Sequence, residues 1–334
     1  MRSPRRHSPR VAVLGDINVD ILAPVRNFAG LGHDYLAAAL AMHCGGVGAN
    51  TAIALARWGT RTRLLGTTGR DAFARLVLSR LKQQGVDVSA VRSTPQALTG
   101  LMFIPVTRGG QRTFFGSRGA NALWPGPVAP QKCLRGVDAL HLMGYNFLSR
   151  PVANAARKLL GEARRRGLPV SLDVGMGPAR DIPRTILQVA RQVDILFLSE
   201  EEAAALTGER KIVSAVAALE DARIRRLVVK RGRRGCLVRL EGREIAAPAL
   251  PVATVDTTGC GDAFTAAFLH GRLAGWPLEE VALVANAAGA AAAVVLGAGE
   301  QLPGPREVGR LLRKARLKKG WEQVRYALIK RMVE

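Results

Sequence analysis

Features that define several common protein classes are missing from this sequence or scarce in it. Only 5% of the 334 residues are aromatic, so no platform for stacking nucleic-acid bases is evident. The four cysteines are scattered without a C-x-x-C pair and indicate neither a zinc site nor a disulfide framework. No apolar run reaches the roughly 18–20 residues of a membrane span, and the basic start runs into a strand rather than a signal-peptide core. These absences predict a reduced, cytoplasmic protein that does not enter a membrane.

Acidic residues are also scarce, with 26 against 49 lysines and arginines, so the formal net charge is +23. Residues 1–10 carry four arginines and no acid, and residues 306–334 carry ten basic side chains and three glutamates. We interpret 1–10 as a solvated basic tail and 303–334 as an extension formed by one basic, amphipathic helix. The positive excess would attract polyanionic substrates such as ATP. The shortage of stacking aromatics does not favour nucleic acid as a partner.

The hydrophobic content of 48% is enough for one large α/β domain or two smaller ones. From residue 137 onward, strand-like and helix-like segments alternate, which is typical of a mostly parallel sheet with helices on both faces. The predicted strands are Ala139–Met143, Pro169–Val174, Ile195–Leu198 and Leu227–Lys230, and the predicted helices are Pro151–Arg166, Pro183–Arg191, Glu201–Leu206 and Lys211–Ala222.

The segment from Val255 to Leu269 is the clearest candidate for chemistry. Its G-C-G-D sequence at 259–262 predicts a turn, and the small and apolar residues from Ala263 onward predict a buried helix. The two glycines can adopt positive φ and let the backbone approach a ligand, and a helix start offers free N–H groups to an anion. Asp262 would then stand beside a phosphate-sized site, which suits phosphoryl transfer. The alternative is a structural turn in which Asp262 only caps the helix.

Two segments near the N-terminus are candidates for holding a substrate. After a strand predicted from Arg10 to Gly15, alternation places Asp16, Asn18 and Asp20 on one side of the chain, where Asp20 could accept hydrogen bonds from two sugar hydroxyls. An ordinary turn rich in Asp and Asn explains this segment equally well. The glycines of C-G-G-V-G-A-N, residues 44–50, would form either a loop lying flat against a ligand or a close-packed strand-to-helix turn.

Two of these segments resemble the signatures of one family. D-T-T-G-C-G-D-A-F, residues 256–264, is similar to the C-terminal signature of the ribokinase-like carbohydrate kinases (the PfkB family). G-G-V-G-A-N, residues 45–50, matches the family's N-terminal G-G-x-G-x-N. The resemblance covers roughly residues 10–302, with both signatures in the expected order. It implies a ribokinase-like α/β fold over residues 11–302, in which a mostly parallel central sheet is flanked by helices in three α/β/α layers.

The resemblance also implies a small β-sheet lid, formed from about 20–43 and 98–118. Leu98 to Phe115 predicts a hairpin whose turn is Arg108-Gly109-Gly110. In the family such a lid closes over the sugar and excludes water from the transferring phosphoryl group, which limits wasteful ATP hydrolysis. A homodimer through the lid is a further expectation. Arg108, Arg112 and Arg118 are interpreted as exposed hairpin charges, with groups facing an acidic or phosphorylated substrate as the alternative.

The activity implied by the resemblance is that of an ATP-dependent sugar kinase. Asp262 would be the catalytic base, and the N–H groups of Gly259, Cys260 and Gly261 would bind the charge on the transferred group. The sugar would be held by Asn18, Asp20, Gly45, Gly46 and Asn50, and ATP by Lys230, Gly232, Gly235, Thr258 and Asn286. The alternative for the G-x-x-G at 232–235 is a plain turn.

Two cations follow from the same resemblance. Glu202 corresponds to the glutamate of the family's N-x-x-E, which organises water around Mg²⁺, although Ser199 replaces the asparagine. The alternative for Ser199 and Glu202 is ordinary helix N-capping. Asp256 and Thr258, with the turn at 297–300, would hold a monovalent cation such as K⁺.

The substrate stays open at this point. Where ribokinases place a sugar-binding Glu, this chain has Gly144-Tyr145-Asn146, so fructose, 2-keto-3-deoxygluconate and a sugar phosphate all remain candidates. One alternative is a nucleoside kinase, which would use Phe103, Phe114 or Phe115 to clamp a base. The other is a non-catalytic sugar- or nucleotide-binding protein whose basic ends contact nucleic acid.

Overall fold

The computed structural model describes residues 8–37, 39–107, 111–124, 126 and 129–332. Its strands are β1 Arg10–Leu14, β2 Asn18–Val25, β3 Ala41–Gly45, β4 Arg61–Thr68, β5 Val86–Asp87, β6 Val91–Ser93, β7 Gly100–Thr107, β8 Phe115–Ser117, β9 Ala139–Met143, β10 Val170–Asp173, β11 Ile195–Ser199, β12 Leu227–Lys230, β13 Cys236–Leu240 and β14 Arg243–Ala247. Its α-helices are α1 Val47–Arg57, α2 Ala72–Gln83, α3 Pro130–Cys133, α4 Arg150–Arg165, α5 Met176–Asp181, α6 Pro183–Ala190, α7 Glu200–Thr207, α8 Ile212–Asp221, α9 Cys260–Leu273, α10 Leu278–Ala292, α11 Pro305–Lys314 and α12 Lys319–Arg331.

One large sheet organises the fold. Among the described residues it contains ten strands in the order β14-β13-β12-β11-β10-β9-β1-β4-β5, with β6 paired to the C-terminal end of β4. The strands from β12 to β5 pair in parallel, and β13 and β14 add an antiparallel hairpin at one edge. The mostly parallel sheet predicted from the alternating pattern is confirmed, and two predicted strands, Ala139–Met143 and Leu227–Lys230, form at the predicted residues.

Helices cover both faces of this sheet, because its strands are apolar on both sides. In β1, Val11 and Val13 belong to the core shared with α1, α2, α9 and α10, whereas Ala12 and Leu14 belong to the core shared with α4, α6, α7 and α8. These four side chains are at most 1% exposed. A continuous apolar run is what a parallel strand needs when both of its faces are buried. The predicted three-layer α/β/α arrangement is therefore confirmed.

A separate small sheet has the strand order β3-β2-β7-β8. β7 and β8 are antiparallel, and Val106 bridges to Arg112, so the hairpin predicted from Leu98 to Phe115 is present. Its predicted turn at 108–110 lies outside the described residues, as do residues 1–7 of the predicted basic tail. The strands of this sheet fall mostly within the two segments predicted to form a lid, and we call it the lid sheet.

The turn and helix predicted around Gly259 need one correction. The helix begins at Cys260 rather than Ala263, and Gly259 is its N-cap with φ 73°. Gly259 is the only one of the two glycines with the positive φ of this turn. A Cβ at Gly259 would also lie 2.8 Å from atoms of Ala298 and Leu302. The prediction of positive φ at Gly261 was wrong, because Gly261 is already helical. Asp262 accordingly lies within the first turn of α9 rather than at its cap.

The C-terminal extension also differs from the prediction. It forms two helices, α11 and α12, rather than one, and these pack on the domain instead of projecting into solvent. Leu312 and Leu328 are fully buried, and the buried guanidinium of Arg325 donates from Nη1 to the Leu312 carbonyl at 3.0 Å. The apolar stripe of the extension thus adds to the core behind α10. In the part of the chain that the structure describes, no helix is both long and apolar enough to cross a membrane.

Candidate active site

The predicted site residues gather at one edge of the large sheet. Asp16 follows β1, while β10 ends at Asp173, β11 at Ser199 and β12 at Lys230. The carboxyl ends of parallel strands lie at the same edge, which is where α/β sheets bind ligands. Helices α1 and α9 begin at this edge as well, so their N-terminal turns border the same site.

Asn50 and Asp262 join the two family signatures. The Asn50 Nδ2 group, in the first turn of α1, donates to Asp262 Oδ2 at 2.9 Å, although the two residues are 212 positions apart. The same side chain accepts at Oδ1 from the N–H of Gly299, at 3.1 Å. Asn50 therefore orients the Asp262 carboxylate and connects it to the turn before α11.

Polar residues of β2 lie near this aspartate, since Asp20 is close enough to contribute to the raised pKa of Asp262, and we call Asn18, Asp20 and their neighbours the polar pocket. Asn18 accepts at Oδ1 from Asn121 Nδ2 at 2.8 Å, and Asn121 also binds both backbone groups of Ile17. Asp20 is buried, and its Oδ1 has no hydrogen-bond partner among the described residues. A buried carboxylate oxygen without a partner is costly, so this atom is available to a ligand hydroxyl.

Two glycines make room for this arrangement. Gly45 pairs with Asn18 in the lid sheet, and a Cβ on Gly45 would lie 2.0 Å from the Asp20 carboxylate. Gly46 is the N-cap of α1. The five residues predicted to hold the sugar thus lie on β2, at the β3–α1 turn and in the first turn of α1.

Both acidic groups of the pocket have unusual proton affinities. Burial raises the pKa of Asp262 to about 7, against the opposing effect of the Asn50 hydrogen bond. Burial, with a contribution from Glu300, also raises the pKa of Asp20 to about 7. A carboxylate of this kind can accept a proton near neutral pH, which a carboxylate of ordinary pKa does poorly.

A buried ion cluster lies beside Asp262, and one of its members, Asp173, is not among the predicted site residues. Lys230 Nζ binds both oxygens of Asp173 at 2.8 Å, and Thr265 donates to Asp173 Oδ2 at 2.7 Å. Burial by itself lowers the pKa of Lys230, but Asp173 and Glu202 outweigh it and keep the ammonium charged. The position of Asp173 at the end of a predicted parallel strand was the signal that could have identified it.

Free N–H groups lie at the start of α9, where the sequence predicts an anion site. The N–H groups of Gly259, Gly261 and Asp262 have no hydrogen-bond partner within the described residues, whereas the N–H of Cys260 donates to the Thr257 carbonyl at 3.3 Å. A Cβ on Gly261 would lie 3.4 Å from Lys230 Nζ, so the ammonium stands beside the helix terminus. Unpaired N–H groups, the helix dipole and a lysine together favour a phosphate. Of the three predicted donors, Gly259 and Gly261 have free N–H groups and Cys260 does not, while the N–H of Asp262 is also free.

A cavity of about 470 Å³ opens next to this site. It lies between the β12–β13 turn, the segment after β14, and helices α9 and α10, and its apolar walls include Leu250, Val252 and Phe264. The size is typical of a small-molecule site. Of the residues predicted to bind ATP, four line this cavity: Lys230, Gly232, Gly235 and Asn286.

Two of the predicted nucleotide residues have other contacts. Thr258 does not line the cavity, and its neighbour Thr257 does. The hydroxyl and the N–H of Thr258 both donate to Asp256 Oδ1. Asn286 Nδ2 donates to the carbonyl of Pro248 at 2.9 Å and to that of Ala247 at 3.2 Å. Asn286 therefore holds in place the chain segment that forms one wall.

Asp256 does not have the open coordination positions that a monovalent cation requires. Arg112, from the lid hairpin, forms an ion pair with Asp256 Oδ1 and donates from Nη2 to Thr257 Oγ1 at 2.6 Å. Asp256 Oδ2 accepts from the N–H of Gly297 at 2.9 Å. The guanidinium supplies the positive charge that this buried carboxylate needs. The residues present do not fit a K⁺ site built on this carboxylate.

The environment of Glu202 fits an outer-sphere role near Mg²⁺. The capping box is present, with Ser199 Oγ accepting from the Glu202 N–H at 3.1 Å and Glu202 Oε2 accepting from the Ser199 N–H at 2.8 Å. Burial raises the pKa of Glu202, and Lys230 opposes this rise. No group of three or more His, Cys, Asp or Glu side chains in the described ranges could ligate a metal directly. A magnesium ion would thus be held by nucleotide phosphates and water, with Glu202 accepting hydrogen bonds from that water.

Arg118 is a second lid arginine that contacts the site. Its Nε and Nη2 donate to the two oxygens of Asp16, both at 2.8 Å. Neither Arg112 nor Arg118 is an exposed hairpin charge, because Arg112 pairs with Asp256 in the segment before α9 and Arg118 pairs with Asp16 after β1. These two ion pairs connect the lid sheet to segments that carry the site.

Comparisons with known proteins agree with this geometry. The family described as "pfkB family carbohydrate kinase" matches residues 8–304. A 2-dehydro-3-deoxygluconokinase of Thermoproteus tenax is 33% identical over 279 residues, which cover 81% of this chain and 86% of that protein. Fructokinase-1 of Oryza sativa subsp. japonica is 32% identical over 287 residues, covering 81% and 88% respectively.

The fold agrees as well. The structure of Arabidopsis thaliana ribokinase complexed with ribose and ATP has a TM-score of 0.79 to this chain at 29% identity, and covers 92% of this chain and 100% of that one. The ribokinase-like fold is therefore confirmed. The family match ends at residue 304, and helices α11 and α12 lie beyond it. From the match over nearly the whole chain, together with both signatures at one site, we conclude that this protein belongs to the pfkB family of carbohydrate kinases.

Proposed function

We propose that this protein transfers the γ-phosphate of ATP to a hydroxyl group of a sugar, with Asp262 as the catalytic base. The observation that carries the proposal is the position of Asp262. Its carboxylate, with a pKa of about 7, stands between the polar pocket of Asn18 and Asp20 and the free N–H groups at the start of α9. A hydroxyl held in that pocket would face both a proton acceptor and an anion site.

The roles of the surrounding residues follow from their contacts. Asn50 holds the base in orientation, and Asp20 Oδ1 accepts from a sugar hydroxyl. The N–H groups of Gly259 and Gly261, with Lys230, stabilise the charge on the transferred phosphoryl group. Bound Mg²⁺ would neutralise charge on the nucleotide phosphates, and Glu202 would hold the water around it. The adenosine part would occupy the cavity between the β12–β13 turn and α10.

The register of the lid sheet favours a sugar over a nucleoside. Asp20 pairs with His43 and Met102, so these side chains share the face toward the pocket. Phe103 and Phe115 pair with one another and therefore lie on the opposite face, while Phe114 packs against the Arg112 guanidinium. Two of the three aromatics considered for a nucleoside clamp, Phe103 and Phe115, therefore lie on the face away from Asp20.

The test is a kinase assay with coupled ADP detection over fructose, ribose, 2-keto-3-deoxygluconate, sugar phosphates and nucleosides. We expect ATP-dependent turnover of at least one sugar and slower turnover of every nucleoside. ATP binding without phosphoryl transfer to any acceptor in the panel would support the non-catalytic alternative. Faster turnover of a nucleoside would overturn the sugar assignment while leaving the kinase chemistry in place.

The outward face of the lid sheet supports a homodimer. Met42, Ile21, Phe103 and Phe115 are successive register partners across its four strands and form one apolar row. Phe115 is 61% exposed and Met42 40%, and an exposed apolar row of this kind marks an interaction surface. We expect the wild type to have the mass of a dimer by light scattering, and Phe103→Ser/Phe115→Ser to have that of a monomer. Val213→Ser, on an exposed part of α8, is the control, and a monomeric wild type would exclude the dimer.

A further inference from the structure

A second cleft, of about 570 Å³, lies away from the active site. Three chain segments form it, namely those that connect α4 to β10, α6 to β11 and α8 to β12. Five of its lining side chains are arginines, and we call it the arginine cleft: Arg164, Arg191, Arg223, Arg225 and Arg226.

The arginine cleft and the active site lie at opposite edges of the sheet. The cleft borders the first residues of β10, β11 and β12, whereas the last residues of the same strands are Asp173, Ser199 and Lys230. The shortest of these strands has four residues, which separates the two edges by roughly 10 Å of strand. A ligand in the cleft would thus make no contact with the phosphoryl-transfer residues.

The positive charge in the cleft is only partly compensated. Asp194 is its single acidic lining residue among those described, and it pairs with Arg226 at 2.9 Å. The three helices that end here each contribute about half a negative charge, and Arg191 Nε uses one of these ends by donating to the Ala222 carbonyl. After these contributions, the five arginines leave an excess of about two and a half positive charges. Arg223 and Arg225 have no ion-pair or hydrogen-bond partner for their side chains in the described part of the chain.

The backbone at Arg223 is a second, independent observation. Arg223 follows α8 with φ 64°, a left-handed conformation in which glycine is the usual residue. A side chain makes this conformation less favourable than glycine would. At this position the chain carries an arginine, and this arginine lines the cleft.

We propose that the arginine cleft binds a small anion carrying two or more phosphoryl groups. Guanidinium groups bind phosphate oxygens in a bidentate manner, and five arginines from three segments line this one concavity. The volume is that of a small-molecule site, and a concavity of this size fits a compact polyanion better than a nucleic-acid strand. Free polyphosphate and the polyphosphate part of a nucleotide share this chemistry.

Isothermal titration calorimetry with tripolyphosphate tests the site without relying on catalysis. Saturating ADP first occupies the nucleotide cavity, so that binding there does not contribute. We expect one equivalent of tripolyphosphate to bind at low ionic strength and to weaken as salt is added. A separate titration with ADP alone distinguishes the two sources. One bound equivalent of ADP, in the nucleotide cavity, indicates that the cleft takes free polyphosphate. Two bound equivalents indicate that the cleft takes a nucleotide as well.

The cleft variant is Arg223→Gly/Arg225→Ser. Glycine suits the positive φ at 223, so the fold is kept, and a thermal melt checks this. We expect the affinity to fall by about tenfold or more, since hydrogen bonds to charged groups are among the strong ones. The control is Arg306→Ser/Arg310→Ser, which removes two exposed arginines of α11 and should leave the affinity unchanged.

Three results would overturn the proposal. Wild-type protein that binds one equivalent of ADP could, with that ADP bound, take up no tripolyphosphate. The α11 control could weaken binding as much as the cleft variant does, which would indicate general charge attraction. Single-stranded RNA could bind in place of tripolyphosphate and be lost in the cleft variant, which would make the ligand a macromolecule. Because binding is measured without turnover, these outcomes are independent of the kinase assay.

Discussion

Replacing Asp262 with asparagine would separate the chemistry of the site from its architecture. Asparagine has nearly the same size and can still accept the hydrogen bond that Asn50 donates at 2.9 Å, but it cannot take up the substrate's proton. At pH 8, one unit above the pKa of about 7, about 90% of Asp262 is ionised in the wild type. The comparison is therefore between a working base and none, and we expect kcat to fall by a factor on the order of 10²–10⁴.

The assay is coupled ADP release with the best acceptor of the panel, together with calorimetric titration of ADP. We expect Asp262→Asn to bind ADP as the wild type does, because the nucleotide cavity does not depend on the carboxylate. Asp20→Asn is the comparison, since losing a hydroxyl acceptor should raise KM for the sugar more than it lowers kcat. A kcat for Asp262→Asn within about threefold of the wild type would refute the assignment of the base.

The same substitution should also change stability in a pH-dependent manner. The folded-state pKa of Asp262 is about 7, above its ordinary 3.8, so the folded state holds this proton more tightly than the unfolded state. The free energy of unfolding therefore decreases as pH rises from about 4 to 7. Asp262→Asn removes this decrease, so urea denaturation should show a larger stability gain at pH 8 than at pH 5. An equal change at both pH values would contradict the raised pKa.

Three further predictions concern the base, the lid and the sugar pocket. Because Asp262 acts in its ionised form, kcat/KM should fall about tenfold per pH unit below an apparent pKa near 7, and a pH–rate profile flat from 5 to 8 would contradict this. Because Arg112 neutralises Asp256, the wild-type reaction rate should be the same in K⁺ and in tetramethylammonium. The rate of Arg112→Met should be lower, and K⁺ should partly restore it. A wild-type rate that depends on K⁺ would contradict this. Gly45→Ala would place its Cβ about 2.0 Å from the Asp20 carboxylate, so KM for the sugar should rise steeply, and an unchanged KM would show that the pocket can relax.

Most of the regular structure could be predicted from the sequence, because it depends on local patterns. The alternating segments after residue 137 determine strands and helices within a few residues of those observed. The two signatures contain the glycines and the aspartate of the site, since a positive φ at Gly259 and free N–H groups at a helix start are properties of a few consecutive residues. The exact start of α9 was not predictable from this pattern. Both Gly259 and Gly261 could have adopted the positive φ of the turn, and only Gly259 does so.

The sequence by itself thus determined the family, the α/β layers, the identity of the candidate base and the segment proposed to surround the transferred phosphate. Only the tertiary structure decided which charges meet. Lys230 pairs with Asp173, 57 residues away, Arg112 reaches Asp256 across 144 residues, and five arginines from three separate segments share one cleft. A sequence pattern gives the charge of each of these side chains but not its partner. The partner depends on how strands and helices pack, and packing brings together residues that are far apart along the chain.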